Sequence, residues 1–343
     1  MNRKLLYFNL AIDSKDTSLG FAIKWIETIS NNYDQVDVVT LRLSTNPNFS
    51  NNVNVYGPKK QDKKIYKYYY FLKQVKFLTS NNEYERCFSH MSPISVLIAS
   101  YYLIKKRIKT TLWFTHPGPK FGLKKIILFM SLLISEHIVT ASKTSFPFKS
   151  KKVNVIGHAI DLNIFSQNKK NLSINKFLIL SRISESKNIH TTIDSFLNSQ
   201  YKNYPLDIIG GPLNSDDKEY LKILTNKYNQ PNINFVGKID YESLPNKLKD
   251  YDVHINNAPS GFFDKSVLET LSSGIINLYK NDDFNKLFIS KNNFHFKSSE
   301  DLIEKLNNLN QLKNDFADLH EVLNNELQEN SLHTLNKRIT KYL

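Results

Sequence analysis

Short apolar runs separated by longer amphipathic stretches recur along the whole chain, and this rhythm narrows its possible folds more than any single motif. In the first half the runs cover residues 5–10, 36–41, 53–56, 87–90, 111–114, 137–140 and 153–156. They are too short for ordinary helices and rich in Val, Ile, Leu or aromatic side chains, the pattern of buried strands. Residues 19–30 and 92–106 read as helices between them, and Ser30-Asn31-Asn32-Tyr33-Asp34 closes the first with turn formers. The second half repeats the alternation with runs at 177–181, 206–209, 233–236 and 253–257, then a helical tail from about 299 to 343. Strands that alternate with helices pair in parallel, so the expected class is α/β with two Rossmann-like, doubly wound domains. The expected boundaries are 1–165 and 174–325, with the polar stretch 166–173 as linker. Two such domains are expected to face each other across a cleft that holds the ligand.

Composition fits two packed cores: 343 residues, 41% hydrophobic and 12% aromatic, exceed what one small domain needs. The single cysteine, Cys87, excludes an intramolecular disulfide and a cysteine-based zinc cluster, and fits a reducing, cytoplasmic setting. The opening residues 1–10 have an apolar run too short for a signal peptide and read as a first strand. The most apolar stretch, 126–134, is far shorter than the roughly 20 residues a membrane-spanning helix needs. A net charge of +14 calls for an anionic partner without saying which.

The chemistry-bearing residues stand where the second-half strands end. The run 177–181 leads into Arg182-Ile183-Ser184-Glu185-Ser186-Lys187, and two cations between a strand and a helix can clamp a diphosphate. An isolated Arg-x4-Lys is more often a solvated basic loop; here other strand ends converge on it. The run 206–209 ends in Gly210-Gly211-Pro212, and 233–236 ends in Gly237-Lys238. The run 253–257 enters Ala258-Pro259-Ser260-Gly261-Phe262-Phe263-Asp264-Lys265, a glycine-opened loop whose amides can face an anion ahead of a helix. Glu269, inside that helix, can accept the two hydroxyls of a ribose.

Ser181-Arg182-Ile183-Ser184-Glu185-Ser186-Lys187-Asn188-Ile189, the Ile208-Ile209-Gly210-Gly211-Pro212 strand end, Phe235-Val236-Gly237-Lys238-Ile239 and the helix 264–274 together resemble family 4 retaining glycosyltransferases of the GT-B fold. In the first half Leu19-Gly20-Phe21, Trp113-Phe114-Thr115-His116 and the stretches 140–142 and 155–161 resemble the same family, so the likeness covers nearly the full chain. The resemblance implies a nucleoside-diphosphate-sugar donor whose diphosphate is bound by Arg182 and Lys187 and whose ribose is held by Glu269. It implies donor contacts from Phe263, Asp264 and Lys265, a base near Lys238 and Ile239, and a close approach of backbone to diphosphate at Gly20. His116 would touch the transferred sugar or its acceptor, a glycan or lipid-linked molecule. It also implies that a tail from about 326 packs back on the first domain. One departure is plain: Gly261 stands where many members carry the first Glu of an E-x7-E pair, and Asp264 is the nearby carboxylate that can replace it in catalysis.

No cofactor and no metal are expected. Asp250-Tyr251-Asp252 spells D-x-D but reads as a helix-to-strand connection, and Asp282-Asp283 as a polar loop. The lysine- and tyrosine-rich stretch 59–73, with Lys120, Lys124 and Lys125, suits peripheral contact with an anionic membrane. Nucleic-acid binding has no motif to support it. A sugar-nucleotide epimerase, a phosphorylase or a non-catalytic glycosyltransferase homologue would share the fold.

Overall fold

The computed structural model describes residues 3–14, 16, 19–44, 48–119, 121–166, 173–288 and 292–343. Most of the linker stretch (167–172) and Lys120 lie outside the described residues. The chain divides into two compact units, residues 1–159 with 332–343, and residues 160–331.

In unit 1 the order is β1 (Lys4–Asn9), α1 (Ala22–Ser30), β2 (Gln35–Thr40), β3 (Val53–Tyr56), α2 (Lys64–Asn81), β4 (Arg86–His90), α3 (Pro93–Lys105), β5 (Lys109–Trp113), α4 (Leu123–Ile134), β6 (His137–Thr140) and β7 (Val153–Val155). All seven strands pair in parallel in the order β3-β2-β1-β4-β5-β6-β7. The central strands are buried on both faces, so they read as continuous apolar runs and not as alternating ones. One face presents Leu6, Phe8, Leu112 and Ile138 to α2, α3 and α4. The other presents Tyr7, Phe88, His90 and Trp113 toward α1, whose Trp25 lies 4.8 Å from Trp113 between ring centroids. Pro93 opens α3 at a position where a missing N–H costs nothing.

Unit 2 contains α5 (Leu162–Phe165), β8 (Phe177–Leu180), α6 (Ile189–Leu197), β9 (Leu206–Ile209), α7 (Ser215–Lys227), β10 (Ile233–Gly237), α8 (Leu244–Leu248), β11 (Val253–Asn256), α9 (Lys265–Ser272), β12 (Ile276–Tyr279), α10 (Ser299–Asn307) and α11 (Leu309–Gln328). Its sheet is parallel in the order β10-β9-β8-β11-β12. Helices α7 and α10 start on Asn214 and Ser298, whose side chains accept the amides of Asp217 and Asp301. The D-x-D carboxylates brace this unit: Asp252 accepts Ser173 Oγ and the amides of Asn175 and Lys176, while Asp250 pairs with Lys247.

The chain then returns to unit 1 as α12 (Leu332–Ile339). Asn336 Nδ2 donates to the Thr28 carbonyl at 2.9 Å, Arg338 to the Ile156 carbonyl, and Thr111 Oγ1 to the Tyr342 carbonyl. The tail therefore covers the same sheet face as α1.

Candidate functional site

In a doubly wound sheet a crevice opens where the strand order reverses. In unit 2 that place lies between β8 and β11, and the two loops leaving these strands carry the charged motifs.

Glycine shapes the floor. Gly210 has φ +144°, and a Cβ there would sit 1.8 Å from the Ser181 carbonyl oxygen, so only glycine lets the end of β9 close on the loop after β8. Gly211 clears space for Lys238: an added Cβ would meet its Cε at 2.5 Å. The Gly211 carbonyl also accepts the Ile183 amide at 3.2 Å. Lys238 and Ile239 thus belong to the same end of the sheet as Arg182, with Lys238 exposed and Ile239 half-buried.

Arg182 is half-buried, and its Nη2 reaches Ser184 Oγ at 3.4 Å. Its Nε is buried and has no hydrogen-bond partner among the described residues. A buried donor without an acceptor costs free energy until a ligand supplies one. Lys187, only 7% exposed, points its ammonium over the Phe262 ring at 4.6 Å and pairs with Asp264 Oδ1 at 2.5 Å. Asp264 Oδ2 accepts Asn256 Nδ2 at 3.1 Å. Asn188, in the left-handed region at φ +50°, donates to the Asn257 carbonyl at 3.0 Å. The loops after β8 and β11 are therefore joined by an ion pair and a hydrogen bond.

One turn further along α9, Lys265 pairs with Glu269 Oε1 at 2.5 Å and lies over the Tyr241 ring at 4.5 Å. Glu269 is 1% exposed. Burial first, then the Glu269 and Asp161 charges and the hydrogen bond to Glu269, push the Tyr241 phenol well above its ordinary pKa, so it stays a proton donor beside that carboxylate. The Phe263 ring packs on Phe284 at 4.7 Å, and the loop ahead of it is tied down by Gly261 N to Asp283 and Asn281 Nδ2 to the Phe262 carbonyl. Asn256, Tyr241 and Phe262 were not singled out from the sequence. Asn256 and Phe262 sit inside or beside motifs already read, and Tyr241 closely follows Lys238-Ile239, so proximity to a strand end was the available signal.

Gly20 and His116 belong to unit 1. Gly20 donates its amide to the Asp16 carbonyl at 2.7 Å, and a Cβ there would lie 2.7 Å from that oxygen and 3.0 Å from that of Ser14. The loop's own carbonyls already require glycine. His116 follows β5; its amide donates to the Ser145 carbonyl at 2.8 Å and its Nδ1 accepts the Gly118 amide at 3.0 Å. An accepting Nδ1 places the ring proton of the neutral imidazole on Nε2.

Between β1 and β4, where unit 1 has its own reversal of strand order, the site is aromatic. His90 is enclosed by Phe21, Trp25 and Trp113 with ring centroids 5.0–6.5 Å away. Burial, then the neighbouring His158, lowers its pKa to about 3, so the imidazole is neutral.

Residues 161–327 match the family model of glycosyl transferases group 1. A comparison with curated protein sequences finds no match. Among solved structures, the Anabaena protein HepE in complex with UDP and glucose superposes with a TM-score of 0.76 at 14% identity, covering 99% of this chain and 98% of that one. Sucrose-phosphate synthase from Thermosynechococcus elongatus gives 0.71 at 13% identity, with 99% and 96% covered. The lipopolysaccharide outer core galactosyltransferase WaaB gives 0.64 at 12% identity, with 99% and 100% covered. The fold common to them is two Rossmann-like units, GT-B.

Proposed function

Because residues 161–327 match the model of glycosyl transferases group 1 and the chain has the GT-B fold, we propose that it is a retaining, metal-independent glycosyltransferase using a nucleoside-diphosphate sugar. The observation that carries this reading is Arg182: a guanidinium with a buried N–H that has no partner among the described residues, beside the buried ammonium of Lys187, at the reversal point of the unit 2 sheet. The donor diphosphate takes Arg182 and draws Lys187 from Asp264. The ribose hydroxyls replace Lys265 at Glu269, the amides at Phe263, Asp264 and Lys265 face the phosphate and sugar, and Lys238 and Ile239 lie near the base. The UDP of the HepE complex makes UDP the first nucleotide to test, ahead of GDP.

In the transfer step the bond from the anomeric carbon to the diphosphate oxygen breaks, and its electron pair leaves with the nucleotide. The acceptor oxygen bonds to the same face of that carbon, and its proton passes to the departing phosphate oxygen. Arg182 and Lys187 stabilise the charge that develops there, work done elsewhere by a metal. Asp264, released from Lys187, holds sugar hydroxyls in place of the carboxylate lost at Gly261. His116 and Gly20 serve on the acceptor-bearing unit, and the acceptor is a glycan or lipid-linked molecule of cell-surface polysaccharide or glycolipid synthesis. Isothermal titration with UDP and GDP in the absence of metal tests the donor site. Micromolar binding of one nucleotide that Arg182→Ala/Lys187→Ala weakens about a hundredfold supports it, and binding of neither overturns it in favour of a non-catalytic homologue.

A further inference from the structure

Thirteen of the nineteen large hydrophobic side chains exposed among the described residues lie between Ile65 and Leu133, so the exposed apolar surface is concentrated and not scattered. Twelve of them occupy the outer sides of α2, α3 and α4, which pack side by side over one face of the unit 1 sheet. Helix α4 is apolar on both sides. Leu128 and Leu132 face the core, while Leu123, Ile126, Met130 and Leu133 recur at helical spacing on the side away from it, each well exposed. Phe121, just ahead of α4, is 85% exposed. On α2, Ile65, Tyr69 and Leu72 form a second outward stripe. Exposed apolar side chains concentrated on one face mark an interaction surface.

The charge of the patch says which. Helices α2, α3 and α4 together contain seven lysines and no carboxylate. Lys106 and Arg107 extend the positive rim beyond α3. A second copy meeting this face with the same face would set lysine against lysine with no acid to receive it. A bilayer of anionic lipid supplies what the face lacks, phosphates for the lysines and an apolar layer for the side chains between them, with tyrosines at the boundary. Among the described residues no helix is long and apolar enough to cross a membrane, so contact is along the surface.

We propose that the outer face of α2, α3 and α4 docks flat on an anionic lipid bilayer, with Leu123, Ile126, Met130 and Leu133 entering the boundary between headgroups and acyl chains. The proposal stands on this surface alone, and it would bring the transferase to a lipid-linked acceptor.

The test is co-sedimentation of the full chain with vesicles of phosphatidylcholine and of phosphatidylcholine mixed with phosphatidylglycerol. Partition into the mixed vesicles only, reduced about tenfold or more by Lys124→Glu/Lys125→Glu, is the expected result. Ile126→Ser/Met130→Ser/Leu133→Ser should leave only binding that salt removes. Cys87 is buried, so an environment-sensitive dye on Phe121→Cys reports this one place without perturbing α4 itself, and its emission should shift to the blue on mixed vesicles. No partition of a chain that still unfolds cooperatively overturns the proposal. So does partition that neither set of substitutions alters, or a dimer in light scattering that the serine substitutions dissolve. UDP titration of the same preparations reads the donor site separately, so either conclusion can fail alone.

Discussion

The two sheets share a strand order around their first strands, yet the crevice at the reversal is filled in opposite ways. In unit 1 it holds Phe21, Trp25, Trp113 and a neutral His90. In unit 2 it holds Arg182, Lys187, Asp264, Lys265 and Glu269. Each unit even carries a buried histidine on the strand across the reversal, His90 on β4 and His254 on β11. His254 is hydrogen-bonded to Asn277 and Thr270, and its pKa is lowered by burial to about 4, with Asn277 and the Asp264 charge opposing. His90 has no hydrogen-bond partner among the described residues. Topology therefore fixes where a ligand site can form, and the side chains decide whether the place is a site or a core.

Four variants test that division. Trp25→Ala should have the largest effect, a loss of about 3–5 kcal/mol of unit 1 stability in urea denaturation, because it empties a fully buried aromatic site. UDP affinity should be unchanged; a parallel loss of affinity would mean the aromatic crevice takes part in donor binding. Arg182→Ala/Lys187→Ala should weaken UDP binding about a hundredfold, the scale of two lost charge-assisted hydrogen bonds, and lower the melting temperature because Asp264 loses its buried partner. Retained affinity would reduce unit 2 to a structural copy of unit 1. Asp264→Ala should lower transfer about tenfold or more while UDP, which lacks the sugar, binds within a few fold of wild type. Wild-type turnover would remove Asp264 from the reaction.

His90→Phe has the smallest effect at neutral pH and tests the aromatic side as pH falls. The folded pKa, about 3, lies below the unfolded value of about 6.5, so the unfolded chain takes up the proton first. The stability involved is fully present above the unfolded value and falls as pH drops toward the folded one. Removing the imidazole should flatten the loss between pH 6 and 4 by about 1.4 kcal/mol per pH unit. An unchanged slope would show that water already reaches His90.

Much of this was legible from short runs of sequence. Eleven of the twelve strands sit within about a residue or two of the apolar runs, because buried parallel strands leave no alternation to blur their ends; β12 is not among those runs. Arg182, Lys187, Asp264 and Lys265 stood out as polar residues following such runs. The pairings were not legible: Lys187 and Asp264 are 77 residues apart, and nothing local marks Asp264 as the partner of Lys187. Nor does Ser89-His90-Met91 reveal that His90 lies among tryptophans, since those rings arrive from α1 and β5. The helical tail read as one stretch; it breaks near Asn308 and after Glu329 without glycine or proline to announce it.

The return of residues 332–343 to unit 1 has a consequence for the order of folding. Unit 2 is one continuous stretch, whereas unit 1 is split around it, so unit 1 is not complete until the chain has passed through all of unit 2. Removing residues 332–343 would strip from α1 the helix whose Asn336 holds the Thr28 carbonyl, leaving that side of unit 1 open to chaperones or proteases.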